Sequence, residues 1–245
     1  MPHLETAGNR LFYFERGTEG TPLLFIHGAG GAHSNWLALI KQLQPRRCMA
    51  LDLPGHGLSS GNGGDTIEAY DEVVKNFASS LLSDAKAVLV GHSMGGLIAT
   101  CFASQNPNLA AALILVSSGF SSPSPPPIQV PPKEEICRML YSKEELIQEC
   151  IKQRLFMLDR PEVLLKDLQA AARFEYAKYK VNENIPAFAL TGENDRRVTL
   201  QATQTAAKFL NASLEIIPDC GHMPMIEKPT DTSKAILKFL NAHPI

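Results

Sequence analysis

The chain has 245 residues, of which 44 % are hydrophobic and 20 % charged, and its formal net charge is -2. This length and apolar content suit one domain with an insertion, or two small domains, around a sizeable core. The charge balance offers no basic surplus for nucleic acid and no polybasic run for a membrane surface, and no apolar stretch is as long as a membrane span.

In chain order, Met1-Pro2-His3-Leu4-Glu5 lacks the basic and apolar regions of a signal peptide, so a cytoplasmic location is expected. Leu11-Phe12-Tyr13-Phe14 follows a Gly8-Asn9 turn signal and predicts an early strand. Leu23-Leu24-Phe25-Ile26 is a continuous apolar run ending at His27-Gly28, the form of a central strand buried on both faces. The pattern repeats at Cys48 to Leu51 before Asp52, at Val88 to Val90 before Gly91, and at Leu113 to Val116 before Ser117. Between these runs, Asp65 with Glu68 resembles a capping box, and Ile67, Tyr70, Val73, Val74, Phe77 and Leu81 follow at helical spacing. Strands alternating with helices predict an α/β protein with a mostly parallel sheet flanked by helices on both faces.

After Phe120 the alternation stops. Ser121 to Lys133 is rich in proline and serine and predicts an exposed connection. Ser142 with Glu145 forms a second capping-box signature ahead of Leu146, Ile147, Cys150, Ile151 and Leu155. Pro161 suits a first helical turn, with Leu164, Leu165, Leu168, Ala172 and Tyr176 expected on one stripe. Strands resume at Ala187 to Leu190 and Leu214 to Ile217. Residues 120–184 are therefore expected as a helical insertion between the two parts of a core, 1–119 and 185–245.

Chemistry concentrates at the predicted strand ends. Gly91-His92-Ser93-Met94-Gly95-Gly96 lies between an apolar strand and a helix-compatible run, the context of a nucleophile elbow. Such a turn exposes the Ser93 hydroxyl and aims a helix N-terminus, with the Met94 N–H, at a developing oxyanion. A serine hydroxyl needs a base. Of the seven histidines, His222 follows the last predicted strand, whereas His3, His33 and His243 are read as having no task. Asp195, in Thr191-Gly192-Glu193-Asn194-Asp195, is the expected orienting carboxylate, with Glu193 as its rival. His27-Gly28-Ala29-Gly30-Gly31 is expected to offer a second oxyanion donor from Ala29 N–H, or alternatively Gly28, with His27 bracing the loop. The five cysteines, Cys48, Cys101, Cys137, Cys150 and Cys220, show no zinc-like spacing and are expected as reduced thiols; no metal is predicted.

These segments, with Asp52-Leu53-Pro54-Gly55-His56-Gly57, resemble the signatures of the α/β-hydrolase fold superfamily, in its serine carboxylesterase, lipase-like or ring-cleavage-product hydrolase branch. The resemblance covers the chain outside the insertion and implies an α/β-hydrolase fold with a helical lid. It implies Ser93, Asp195 and His222 as a catalytic triad, the Asp52–Gly57 segment as a structural turn, and no cofactor. Serine at position 93 disfavours the dehalogenase and epoxide hydrolase branches, which place aspartate there, and leaves a perhydrolase side activity open. The expected reaction is hydrolysis of a small-molecule carboxylic ester with an apolar acyl or alcohol group. Phe156 and Met157 of the lid are expected to contact that group. A thioesterase, a C–C bond hydrolase, a proline-type aminopeptidase and a small-molecule receptor on a retained hydrolase fold stand as alternatives. Monomer and homo-oligomer both stay open.

Overall fold

Each apolar run predicted as a strand becomes a strand of one sheet. The computed structural model describes residues 3–6, 8–83, 85–120, 125–153, 156–243 and 245, without the side chains of Phe156 and Met157. Among the described residues eight strands form: β1 (His3–Thr6), β2 (Asn9–Arg16), β3 (Glu19–Ile26), β4 (Arg46–Leu51), β5 (Ala87–His92), β6 (Ala110–Val116), β7 (Ala187–Gly192) and β8 (Ser213–Ile217). They lie in the order β1-β2-β4-β3-β5-β6-β7-β8. β2 is antiparallel to both its neighbours, and β3 to β8 are mutually parallel.

The α-helices between and after them are α1 (Leu37–Gln42), α2 (Ile67–Leu82), α3 (Met94–Gln105), α4 (Lys133–Leu140), α5 (Glu144–Lys152), α6 (Phe156–Asp159), α7 (Pro161–Arg173), α8 (Leu200–Phe209), α9 (Pro224–Glu227) and α10 (Pro229–Asn241). Alternation along the strands divides the core in two. Leu24, Ile26 and Leu89 face the layer holding α2 and α3. Leu23, Phe25, Val88 and Val90 face the layer holding α1 and α10. Burial on both faces explains why these strands are continuous apolar runs.

The chain order reverses at β3. β4 pairs on one side of it and β5 on the other, with Ile26 opposite Gly91. A crevice opens at such a switch point, beyond the carboxyl ends of the strands. The loops after β3 and β5 therefore meet there. Those after β7 and β8 issue from the same edge, since Gly192 pairs with Ile217 in parallel register.

Several local expectations are corrected. The cap of α2 is Thr66, whose side chain accepts the Ala69 N–H at 3.2 Å, whereas Asp65 pairs with Lys166 at 3.1 Å. Ser142 does not cap α5, because its hydroxyl donates instead to Glu227 at 2.7 Å. The buried stripe of α7 is Val163, Leu164, Asp167 and Ala170, and Tyr176 lies beyond the helix in a 3₁₀ turn, Tyr176–Lys178. Cys137 and Cys150 are not free thiols. The adjacent helices α4 and α5 bring their Cα atoms to 5.8 Å and the two form a disulfide. Cys48, Cys101 and Cys220 are free and buried. Among the described residues, no helix is long and apolar enough to cross a membrane.

Candidate active site

Ser93 follows β5 and caps α3 with φ 51° and ψ -119°, a backbone conformation that is costly for a residue with a Cβ. The surroundings hold it there. A Cβ at Gly91 would strike the Gly95 carbonyl, and one at Gly95 would strike the Ile26 carbonyl, so the elbow closes only with glycine at both places. The Ser93 N–H donates to Val116 O at 3.0 Å, and the Ser93 carbonyl accepts from Ser118 Oγ at 2.8 Å. Both bonds tie the turn to the end of β6 and the residues after it.

His222 lies on the loop after β8. Its N–H donates to Leu140 O at 3.1 Å, and its carbonyl accepts from His92 Nε2 at 2.9 Å. The ring places Nδ1 2.8 Å from Asp195 Oδ2, and both side chains are 2 % exposed. Asp195 Oδ1 accepts the N–H groups of Arg197 at 2.8 Å and Val198 at 2.9 Å. Burial would raise the Asp195 pKa. The hydrogen bond and charge of His222, helped by the two N–H groups, outweigh that and hold the carboxyl below its usual value. A carboxylate only accepts, so Nδ1 carries a proton, and in the neutral ring the lone pair is on Nε2. Glu193, the rival carboxylate, is exposed and accepts the Asp219 N–H at 3.2 Å.

His27 and His92, at the same edge, are held neutral. Burial lowers His27 to about 4 and His92 to about 3, with neighbouring imidazoles adding to the effect. His27 braces its loop as expected: Nδ1 lies 2.8 Å from Gly28 O, and Nε2 accepts the Leu53 N–H at 3.1 Å. His33 has a structural task after all, for its N–H and Nδ1 both bond Asp52, at 2.6 and 2.9 Å.

The loop after β3 lies against the elbow. A Cβ at Gly28 would stand 3.0 Å from Ser93 Cβ and 2.9 Å from His92 Nδ1. Among the described residues, the N–H groups of Gly28, Ala29 and Met94 have no hydrogen-bond partner. The fold thus brings Ser93, Ala29, Met94, His222 and Asp195 to one sheet edge. The side chains of Phe156 and Met157 lie outside the described residues. Among the described residues, no group of His, Cys, Asp or Glu side chains could hold a metal ion.

Three supporting residues had no role in the sequence reading. His92 holds the His222 carbonyl. Glu227 accepts Gly221 N–H at 2.9 Å and binds Ser142, joining the His222 loop to the end of α4. Asp167 accepts Gly30 N–H at 2.9 Å from α7. His92 could have been suspected from its place beside Ser93; the other two carry no local signal.

The description "Alpha/beta hydrolase family" belongs to the family model that matches residues 23–235. The chain is 30 % identical to the dihydrolipoyllysine-residue acetyltransferase component of an acetoin cleaving system from Pseudomonas putida, covering 98 % of this chain and 69 % of that protein. It is 27 % identical to Lipase 1 of Psychrobacter immobilis, covering 96 % of this chain and 83 % of that one. It resembles the solved structure of a thermophilic esterase from Thermogutta terrifontis with a TM-score of 0.85 and 25 % identity, covering 99 % of both chains.

Proposed function

The chain belongs to the alpha/beta hydrolase family, and from that premise we propose that it is a serine hydrolase that cleaves a small carboxylic ester through an acyl-enzyme. Ser93 is the nucleophile, His222 the general base and Asp195 its orienting carboxylate. The observation that carries the reading is the buried 2.8 Å bond from His222 Nδ1 to Asp195, which leaves Nε2 as the basic nitrogen. The similarity to a lipase and an esterase supports an ester as the substrate class.

In this mechanism Ser93 Oγ attacks the ester carbonyl as Nε2 takes its proton. Asp195 stabilises the imidazolium that forms. The carbonyl electron pair becomes an oxyanion, which the N–H groups of Ala29 and Met94 receive, the second aided by the N-terminus of α3. Collapse of the intermediate breaks the bond to the alcohol oxygen, which leaves with the proton from His222. Water then attacks the acyl-enzyme and gives a proton to Nε2; the second tetrahedral intermediate collapses, breaking the bond to Ser93 Oγ, which takes that proton back as the acid is freed. No step calls for a metal or organic cofactor.

Ser93→Ala is expected to lower nitrophenyl acetate turnover by about a thousandfold or more without changing the thermal melt. A fluorophosphonate should modify the parent protein at Ser93. Peptide mapping that puts the adduct on another residue overturns the assignment.

Residues 120–184 are assigned the role of a lid on a core of 1–119 and 185–245. β6 pairs directly with β7, Val116 opposite Leu190, so the sheet closes without the segment between them. Phe156 and Met157 are assigned contact with the acyl chain. Remote contacts of this kind add binding energy for long substrates and none for short ones. Phe156→Ser and Met157→Ser should lower kcat/KM for octanoyl esters more than for acetyl esters; an unchanged ratio in folded variants removes both residues from the acyl site.

A further inference from the structure

Helix α7, in the segment read as the lid, sends one carboxylate into the core. Asp167 is fully buried in a stripe whose other members, Val163, Leu164 and Ala170, are apolar. Its Oδ2 accepts the Gly30 N–H at 2.9 Å and lies 2.7 Å from His56 Nε2. Its Oδ1 accepts the Tyr70 hydroxyl. The loop after β3, the turn after β4, helix α2 and helix α7 thus converge on one side chain.

The His56 ring is bonded on both sides, with Nδ1 3.0 Å from Pro54 O. A carbonyl and a carboxylate both accept, so both ring nitrogens donate, which requires the imidazolium. Burial opposes that charge, but the bond to Asp167 and its charge outweigh burial and raise the His56 pKa, with Asp52 contributing. His27, whose ring centroid is 4.8 Å away, is neutral, and Tyr70 keeps its proton. Apolar residues commonly stabilise a fold as well as a buried ion pair does, so core stability alone does not account for this one.

Its position gives the better account. Gly30 adopts φ 65°, and it directly follows Ala29. The Gly28 side of the loop is pinned by His27 and by the Gly31 N–H to Gly28 O bond of 3.0 Å. The Gly30 side is pinned by Asp167. We propose that Asp167 is a positioning residue of the oxyanion loop: by holding the Gly30 N–H it sets the direction in which the Ala29 N–H meets the tetrahedral oxyanion. A residue of the lid segment thereby completes a site built on the core. The proposal rests on the serine hydrolase reading above.

The test compares Asp167→Ala and Asp167→Asn with the parent on an acetyl ester. Fluorophosphonate mapping to Ser93 in the parent comes first, and its failure would refute the hydrolase reading itself, separately from the clamp. Each variant is then measured for kcat, KM, thermal melt and inhibition by a trifluoromethyl ketone, whose serine adduct carries an oxyanion. Asp167→Ala should lower kcat by about ten- to a hundredfold, less than outright loss of an oxyanion donor. KM should stay within about threefold, and ketone affinity should fall by the same factor as kcat/KM. Asp167→Asn keeps an oxygen opposite Gly30 but not the charge, and should lose only about three- to tenfold in kcat and in ketone affinity. A folded Asp167→Ala protein with parental kcat and ketone affinity overturns the proposal, as does a change confined to KM. Should the alanine variant not fold, Asp167→Asn decides alone, and parental ketone affinity overturns the clamp.

Discussion

At the scale of single residues, the His222 ring takes its tautomer from Asp195. Nδ1 faces a carboxylate that already accepts two backbone N–H groups on its other oxygen. The depressed pKa keeps that carboxyl ionised, so Nδ1 holds a proton, and in the neutral ring Nε2 is the nitrogen that can accept one. In Asp195→Asn an amide could turn its N–H toward the ring and stabilise the opposite tautomer. The expected loss in kcat is about ten-thousandfold with the fold retained. Steady-state kinetics on a short ester checks this, and a loss of less than about tenfold would remove Asp195 from the proposed mechanism. The same logic separates His222 from its neighbours. His27 and His92 are buried, the first against the His56 ring and the second against the His222 ring, and both are used up in holding backbone atoms.

Elements carry a second kind of information, in how they are tied to each other. Helices α4 and α5 are short and would be marginal alone in water. The Cys137–Cys150 disulfide joins them across a separation of 13 residues, a loop for which cross-linking contributes about 3 kcal/mol. The last residue of α4, Leu140, accepts the His222 N–H, and Ser142 just beyond it binds Glu227. Loosening this helix pair therefore reaches the candidate base as well as the melting temperature. The double variant Cys137→Ala with Cys150→Ala should melt about 6–12 °C lower than the parent. Its kcat should fall while the Ser93 backbone, held from β6, is unaffected. Calorimetry with and without reductant tests the link, and a parental melt in the reduced protein would show that the bond does not stabilise the fold. A protein retained in a reducing compartment would show two more titratable thiols than one in an oxidising compartment.

The whole molecule responds to pH through its buried carboxyls, and these work in opposite directions. Asp52 and Asp195 have depressed pKa values, so the stability they contribute is present at neutral pH and is lost as pH falls through those values. Asp71 is the reverse case. It is buried on α2 beside Glu68, Glu72, Lys75 and Cys101, its Oδ1 has no partner among the described residues, and burial raises its pKa to about 6. The folded state holds this proton more tightly than the unfolded chain, whose carboxyl titrates near the usual value of about 4. Asp71 therefore adds stability at low pH, and that contribution disappears as pH rises from about 4 through about 6. Asp71→Asn mimics the protonated form. It should stabilise the protein by about 1–3 kcal/mol at pH 8 and by almost nothing near pH 4. Urea unfolding at the two pH values measures the difference, and an equal effect at both would assign it to packing.

The central parallel strands were legible because strands buried on both faces must be apolar throughout, as Leu23 to Ile26, Val88 to Val90 and Leu113 to Val116 are. β1 was not read, since its alternate half-buried residues, His3 to Thr6, carry no apolar run. The elbow was legible because backbone crowding admits only glycine at positions 91 and 95, a local demand that leaves a local mark. The candidate His222 and Asp195 could be named from their places after predicted strands. Their 2.8 Å bond could not, because it depends on β7 and β8 lying side by side. Asp167, Glu227 and the Cys137–Cys150 pair were invisible for the same reason. Asp167 sits in a helix whose apolar period predicts a different stripe, and its partners are 137, 111 and 97 residues away. Sequence by itself determines which segments are the buried strands, which turn must be glycine and which residue types could carry the chemistry, because those follow from neighbours along the chain. Tertiary structure alone decides which polar groups meet inside the core, because that energy is set by partners that only the packed sheet and helices bring within hydrogen-bonding reach.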